Sequence, residues 1–186
     1  MTRVRECEAK VLGIDPDDIA QRILHAGGAF VSDRLMRRYV YDLRPSEPGK
    51  WVRLRDSGAE VTICVKEIVS SAVDGVLETE LAVMDFDVAH ALLQNLGFTA
   101  KAYQENRRAS WRLGATRLEI DSWPLIPPYL EIEGDGPEDV YQAAKLLGFG
   151  PEVLTSENTT DVYRRYGIDL ETITDLCFSV QTEKGG

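Results

Sequence analysis

Charged residues that recur at every second position constrain this chain more than any other feature. The run Glu6-Cys7-Glu8-Ala9-Lys10 is the first example, because charged and small side chains alternate in it. Successive side chains of a β-strand point to opposite faces, so Glu6, Glu8 and Lys10 would share one face. Cys7 and Ala9 would then share the other face. The run therefore predicts a strand with one charged face and one packing face.

The same alternation recurs in later segments of the chain, where charged residues oppose apolar ones. These residues are Arg53 with Arg55, Lys66, Glu78 with Glu80, Arg108 with Arg112, Glu119 with Asp121, and Glu131 with Glu133. One such strand is typical of a sheet with a solvated face. The chain has too little predicted helix, however, to leave a large sheet face merely solvated. A sheet closed into a barrel would turn its apolar side chains outward against helices and enclose the charges.

The remaining sequence signals place the strands and helices. We expect strands near residues 3–12, 31–42, 50–57, 60–68, 76–84, 99–113, 116–123 and 128–134. Helices should follow Asp15, Asp85 and Gly136-Pro137 and end at glycines, with a short helix near 158–166. Short turns between the strands favour antiparallel pairing. The expected fold is α+β, an eight-stranded antiparallel β-barrel, or tunnel, with helices packed on its outside.

We expect one domain over residues 1–186, with a core at about 3–165 and a C-terminal tail over 166–186. Residues 44–50 and 69–75 read as polar loops, and the end of the chain from Ser179 as frayed.

Composition excludes several classes of protein. The chain has 186 residues, is 44% hydrophobic and carries a formal net charge of -10, which is typical of a globular protein that does not bind nucleic acid by electrostatics. No apolar run approaches the about 18 residues that a membrane span needs. The first residues lack the apolar segment of a signal peptide, so we expect a cytoplasmic protein. Cys7, Cys64 and Cys177 fit no metal-ligand spacing; Cys7 and Cys64 lie in strand-like apolar faces and are expected as buried, reduced thiols.

A barrel interior that holds several acids needs partners for them, because confined like charges repel. One partner is the set of basic residues on the same faces, which comprises Lys10, Arg53, Arg55, Lys66 and Arg108. The other is a hard divalent cation, which prefers carboxylate oxygens. Cations and metal-binding acids in one cavity suit a polyphosphate, and no phosphate-binding glycine loop of the G-x-x-x-x-G-K-[ST] type is present.

These residues resemble the CYTH superfamily, the triphosphate tunnel metalloenzymes. Over about residues 3–165, its motifs are matched in order by Glu6-x-Glu8-x-Lys10, Arg53-x-Arg55, Lys66, Glu78-x-Glu80, Arg108, Asp121 and Glu131-x-Glu133. The chain departs from the pattern at Asn106, where many members have a lysine, and Arg107 is a candidate to replace it. The Ser-Tyr element of many members is replaced by Asp161-Val162-Tyr163.

The resemblance implies an enzyme that binds triphosphate compounds inside its tunnel with Mg²⁺ or Mn²⁺. We expect hydrolysis of inorganic triphosphate or a similar organic triphosphate. The alternative is a class IV adenylyl cyclase, which makes cyclic AMP and pyrophosphate from ATP; the longer N-terminal lead of such cyclases, with its His-Phe pair, does not precede Glu6. A second alternative is a non-catalytic module that binds polyphosphate or nucleotide, against which the intact acidic pairs argue.

The expected roles follow from the charges and the resemblance. Substrate-binding residues would be Lys10, Arg53, Arg55, Lys66, Arg107 and Arg108; metal-binding residues would be Glu6, Glu8, Glu131 and Glu133; Glu78, Glu80 and Asp121 would position or deprotonate the attacking water. Tyr39 and Tyr41 share a strand face with Arg37 and either enter the cavity or pack outside it. The expected partner is a small-molecule triphosphate, with no nucleic acid and no membrane. The oligomeric state stays open, and a homodimer is one option.

Overall fold

The computed structural model describes residues 4–43 and 49–178. The strands of this part are β1 Val4–Leu12, β2 Ala29–Asp42, β3 Lys50–Asp56, β4 Val61–Ile68, β5 Val76–Val83, β6 Ala100–Leu113, β7 Thr116–Ser122, β8 Tyr129–Gly134, β9 Leu154–Thr155 and β10 Asp175–Leu176. The α-helices are α1 Pro16–His25, α2 Phe86–Asn95, α3 Pro137–Leu146 and α4 Thr159–Arg165, and short 3₁₀ turns cover Pro151–Val153 and Leu170–Thr172. None of the helices in the described ranges is long and apolar enough to cross a membrane.

Two of the predicted segments lie wholly or mostly outside the described residues. Residues 44–48 of the predicted polar loop and the chain from Ser179, predicted to be frayed, are outside the described ranges.

The eight long strands form a closed antiparallel barrel, as the alternation predicts. Neighbouring strands follow the order β6, β2, β3, β4, β5, β1, β8 and β7, and β7 pairs again with β6 to close the ring. Two short strands lie outside this ring, since β9 pairs with β1 and β10 runs parallel to β6. Closure leaves no open edge among the eight long strands, and it encloses every side chain that points toward the barrel axis.

Local sequence signals set the helix ends. The Asp15 carboxylate accepts hydrogen bonds from the backbone N–H groups of Asp17 and Asp18 at 2.9 and 3.0 Å, which caps α1. The Asp85 carboxylate caps α2 in the same way, through the N–H of Val88 at 2.8 Å. After α2, Gly97 has a φ of 92°, in the left-handed region that favours glycine. The three long helices therefore begin and end where the sequence predicts.

The apolar faces of the barrel point outward and are covered by the helices. The first core packs α1 and α3 against β1, β7 and β8, and it includes Cys7, Ala9, Val11, Ile19, Ile23, Leu118, Ile120, Leu130, Ile132 and Val140. The second core packs α2 against β2 and β3 through residues such as Tyr41, Leu54 and Phe86. Burying one such large side chain contributes roughly 1.5–3 kcal/mol. The main hydrophobic core thus lies outside the barrel, and the interior is left to polar residues.

A third apolar cluster, which we call the apolar plug, fills one end of the barrel. Its buried members are Trp123, Ile126, Tyr129, Val162, Tyr163, Leu170 and Leu176. Trp123 and Tyr129 alternate in phase with Asp121 and Glu131, so they point toward the barrel axis. There they meet Tyr163 of α4, whose hydroxyl donates to the Pro124 carbonyl at 2.7 Å. Leu170 and Leu176 show that the segment assigned to a C-terminal tail packs onto the barrel as far as the structure describes it.

Candidate functional site

Charged side chains from all eight long strands line the barrel interior. The acids are Glu6, Glu8, Glu78, Glu80, Glu119, Asp121, Glu131 and Glu133, and the bases are Lys10, Arg38, Arg53, Arg55, Lys66 and Arg108. Each strand contributes its inward residues because alternate side chains point to the axis. Most residues that the sequence predicts as site residues are therefore brought together, and Glu119 and Arg38 are added to them.

Strands β1 and β8 hold a buried lysine between two carboxylates. Lys10 is only 2% exposed, and its Nζ lies 2.6 Å from Glu8 Oε1 and 3.3 Å from Glu131 Oε2. Burial lowers the pKa of Lys10, but the charges of Glu8 and Glu131 outweigh burial and raise the pKa above its ordinary value. Lys10 is therefore a fixed positive charge inside the barrel.

Strands β6, β7 and β8 hold a second buried ion cluster. Asp121 is 0% exposed, and Arg108 donates from Nε to Asp121 Oδ1 at 2.7 Å and from Nη2 to Glu131 Oε1 at 3.0 Å. Burial raises the pKa of Asp121 even though Arg108 opposes the shift. Glu119 lies in the same alternation two residues before Asp121, and burial raises the pKa of its carboxyl too. The strand pattern contained Glu119, although it matches no motif of the resemblance.

Strands β1, β3, β4 and β5 hold the third cluster, in which two carboxyl groups meet. Lys66 Nζ donates to Glu6 Oε2 at 2.7 Å, and Arg53 Nη2 donates to Glu78 Oε1 at 3.1 Å. Burial and a hydrogen bond with Glu78 raise the pKa of Glu6. A raised pKa in one member of a carboxyl pair is expected where two acids share a site and one proton. Glu80 completes the cluster, with its Oε2 3.6 Å from both Arg53 and Arg55.

Arg107 lies outside the barrel, so its predicted role in substrate binding is wrong. Its side chain is 66% exposed and makes a bidentate ion pair with Asp33, at 2.8 Å from Nε and 2.7 Å from Nη2. The physical reason is alternation, since the neighbouring Arg108 occupies the inward position of β6. Arg107 therefore cannot replace a lysine at position 106, whose side chain points inward.

Comparisons with known proteins bear on the fold. No protein-family model matches the sequence, and no curated protein matches it either. Among solved structures, a candidate adenylate cyclase from Vibrio parahaemolyticus matches at a TM-score of 0.73 and 14% identity, over 88% of this chain and 99% of that chain. A protein from Pyrococcus horikoshii matches at 0.71 and 24% identity, over 82% and 96%. The chain therefore shares the closed-barrel fold of these solved structures.

A plant protein with this tunnel fold is also similar to the chain. It is a candidate adenylyl cyclase from Hippeastrum, described as having a dominant triphosphatase activity, and it matches at a TM-score of 0.57 and 15% identity over 90% of this chain and 99% of that chain.

The tunnel contains donors that fit a hard divalent cation. Carboxylate oxygens are the ligands that Mg²⁺ and Mn²⁺ prefer, and the neighbouring carboxyl groups of Glu6 and Glu78 offer such oxygens side by side. Glu78, Glu80 and the Cys64 thiol also lie close enough to hold one ion, with their ligand atoms within 4.8 Å of one another. Cys64 is thus on the inner face of β4, and the prediction that it lies on an apolar face is wrong.

The structure decides between the two positions that the sequence left open for the tyrosines of β2. Tyr39 stacks on His90 at 3.9 Å and Tyr41 bonds the same ring at 2.6 Å, so both tyrosines pack outside the tunnel against α2. Arg37 also points outward and pairs with Asp56 at 3.1 Å. The inward position belongs to Arg38, which the sequence reading missed because β2 carries arginines on both faces.

Glu133 lies at the opposite end of β8 from the plug. It forms an ion pair with Arg117 of β7 and is less enclosed than Glu131. Its carboxylate lies on the same face of β8 as that of Glu131.

Proposed function

We propose that this protein hydrolyses a triphosphate compound, such as inorganic triphosphate, with the help of a divalent metal ion inside the tunnel. The observation that carries the proposal is the composition of the interior, where four neighbouring strands, β6, β2, β3 and β4, carry cations and the other four, β5, β1, β8 and β7, carry the carboxylates together with Lys10. Lys10, Lys66 and Arg108 each lie within 4.0 Å of two carboxylates, so the interior offers both charges within short distances. A triphosphate with its metal presents the complementary pattern of charges.

The basic residues would hold the phosphate oxygens. Arg53, Arg55 and Arg108 offer planar groups with several donors, and Lys10 and Lys66 offer point charges. Phosphoryl transfer needs mainly positioning and charge neutralisation, which such an array provides. A bound divalent cation would neutralise charge on the phosphates, and Glu6, Glu8, Glu131 and Glu133 would hold it.

Glu78, Glu80 and Asp121 would orient or deprotonate the attacking water. Glu80 supports this role because its nearest cations are 3.6 Å away, which leaves its oxygens freer than those of Glu78. Asp121 supports it less directly, since Arg108 and Asn106 both donate to its Oδ1. We therefore assign Glu80 as the first candidate for the general base and Asp121 as a positioning residue.

The test is turnover of inorganic triphosphate by the wild type and two variants, Arg55→Ala and Glu131→Ala. Each should lower kcat/KM by at least about 100-fold, which is the effect of losing one preorganised charge contact. Arg107→Ala is the matched control, because it removes an arginine from the outer face of the same barrel, and it should turn over at the wild-type rate. Wild-type turnover in both inner variants would contradict the assignment.

A second candidate function is the cyclisation of ATP, because solved structures with this fold include candidate adenylate cyclases. In that reaction the ribose 3′-hydroxyl attacks the α-phosphate, and the products are cyclic AMP and pyrophosphate. A panel of inorganic triphosphate, thiamine triphosphate and ATP, with Mg²⁺ or Mn²⁺ and product identification, separates the two reactions. Cyclic AMP as the main product from ATP would replace our proposal, whereas free phosphate would support it.

A further inference from the structure

Arg38 differs from the other bases of the tunnel because no acid in the described part of the chain forms a direct ion pair with it. It is 8% exposed, and within residues 4–43 and 49–178 no carboxylate oxygen lies within 4.0 Å of its guanidinium nitrogens. The other inner bases, which are Lys10, Arg53, Arg55, Lys66 and Arg108, each have at least one such acid. Arg38 is thus a buried cation whose partner is not supplied by the described part of the chain.

The contacts of Arg38 hold its guanidinium in place without neutralising it. Its Nη2 donates to the Asn106 side-chain oxygen, and Asn106 in turn donates to Asp121 Oδ1 at 3.0 Å. The guanidinium carbon lies 4.6 Å from the centre of the Trp123 ring, which is the distance of a cation–π contact. Its buried Nε has no hydrogen-bond partner. A fixed, stacked guanidinium with an unused donor is a preorganised anion contact.

Neighbouring arginines make this arrangement costly in the absence of an anion. Arg38 faces Arg55 in the β2–β3 register, and the buried Nε atoms of Arg53 and Arg55 also lack partners. Burial, followed by the charges of Arg53, Arg55 and Arg108, lowers the pKa of Arg38 to about 9. A buried charge without a counterion costs several kcal/mol, so an anion bound here would relieve desolvation and repulsion together.

We propose that Arg38 binds a phosphate group of the ligand, which supplies the counterion that the guanidinium lacks. The geometry supports this role because Arg38 extends inward from β2 and is held in place by the Asn106 side chain. Arg107 is excluded from this role by its outward direction and its pair with Asp33. The inference rests on the proposed function for its ligand class, and it adds a residue from a strand that the motifs do not cover.

The position of Arg38 in the barrel also indicates which part of the ligand it contacts. Trp123, on which Arg38 stacks, belongs to the apolar plug. Tyr163 of the plug is also near: burial raises the pKa of Tyr163, and the charge of Arg38 opposes part of that rise. Arg38 therefore lies where the charged interior ends. The phosphate that it binds is the leading group of a ligand that enters from the opposite end.

The test compares Arg38→Gln with Arg37→Gln, which changes the neighbouring arginine on the outer face. Inorganic triphosphate is the probe, and its affinity is measured by calorimetry with and without Mg²⁺. Arg38→Gln should weaken binding by at least about 10-fold, as expected for the loss of a charged hydrogen bond, and Arg37→Gln by less than about 2-fold. Equal affinities in Arg38→Gln and the wild type would overturn the proposal.

A second variant tests whether the positive charge itself is what the ligand binds. The double variant Arg38→Gln/Asn106→Lys moves the charge from β2 to β6 and should recover affinity to within about 3-fold of the wild type. Without ligand, Arg38→Gln should melt at the same temperature as the wild type or higher, because it removes an uncompensated buried charge. A structural role would predict the opposite change in melting temperature.

The remaining outcomes also decide the question. Arg38→Met, whose side chain can pack on Trp123, repeats the binding test if the glutamine variant does not fold, and unfolding of both variants would overturn the proposal. Binding that depends on Arg38 without any turnover would refute the proposed hydrolysis and leave this inference standing. Unchanged turnover in Arg38→Gln would refute this inference and leave the proposed hydrolysis standing. If the wild type does not bind triphosphate, both fail.

Discussion

At the scale of single residues, the tunnel is a set of buried charges that depend on one another. Asp121 has no exposed surface, and its charge is tolerated because Arg108 donates to both of its oxygens. Such a pair contributes little net stability, since desolvation offsets most of the attraction, yet removing one partner leaves the other charge buried alone. Substitutions in the tunnel therefore change folding as well as chemistry, and the two effects must be measured separately.

Arg108→Ala should lower the free energy of unfolding by about 3–5 kcal/mol, because it leaves the buried Asp121 without a cation. The double variant Arg108→Ala/Asp121→Ala should lose less than the single variant, because no buried charge is then left unpaired. Arg107→Ala is the control and should cost at most about 1 kcal/mol, since its pair with Asp33 is exposed. Urea denaturation of the wild type and the three variants measures these differences. Equal losses for Arg107→Ala and Arg108→Ala would contradict the argument.

At the scale of elements, the short strand β10 matters more than its length suggests. It lies parallel to β6 and brings Leu176 into the apolar plug, next to residues of β8, α4 and the segment between β7 and β8. A strand of two residues offers little periodicity from which to predict it, so its existence depends on the surface that it covers. The plug therefore joins the end of the described chain to the inside of the barrel.

Leu176→Ala should destabilise the protein by about 2–5 kcal/mol, because it leaves a cavity among fully buried side chains. Leu146→Ala on α3 is the control, since that leucine is largely exposed, and it should stay within about 0.5 kcal/mol of the wild type. Thermal or urea unfolding followed by circular dichroism gives both values. A cost for Leu176→Ala no larger than that of the control would show that β10 does not support the plug.

At the scale of the whole molecule, the barrel reverses the usual arrangement of a globular domain, in which apolar side chains fill the interior. Its apolar faces pack outward under helices, and its enclosed interior carries charges of both signs. The stability of such an interior depends on what it binds, because a ligand that binds only the folded state stabilises it by an amount that grows with the logarithm of the ligand concentration above its dissociation constant. Metal and triphosphate should therefore act together.

Mg²⁺ and inorganic triphosphate added together should raise the melting temperature by more than the sum of their separate effects. The cation would neutralise the carboxylates and the anion would occupy the arginines, so each favours binding of the other. Saturation at about 100 times the dissociation constant corresponds to about 2.7 kcal/mol, or roughly 5–10 °C for a chain of this size.

Differential scanning fluorimetry with each component alone, with both, and with both plus excess EDTA measures this coupling. Strictly additive shifts, or a joint shift that EDTA does not remove, would count against a metal–triphosphate complex in the tunnel.

The sequence by itself determined which residues form the eight long strands and the four α-helices, and for most of those strands which face is charged. Where one face of a strand is charged and the other apolar, as in Glu6-Cys7-Glu8-Ala9-Lys10, only one orientation buries the apolar side under helices, so alternation suffices. The order of the motifs then predicted most of the inner acids and bases.

The tertiary structure alone decided the positions where that contrast fails. Strand β2 carries Arg37 and Arg38 side by side, so local pattern does not choose between them, and the pairing with β3 and β6 does. The same holds for the packing of residues 166–178 into the plug, which no local pattern predicts. In each case the deciding contacts join residues far apart in the chain, and their energies are not encoded in any local periodicity. The unpaired charge of Arg38 became visible only when those contacts were known.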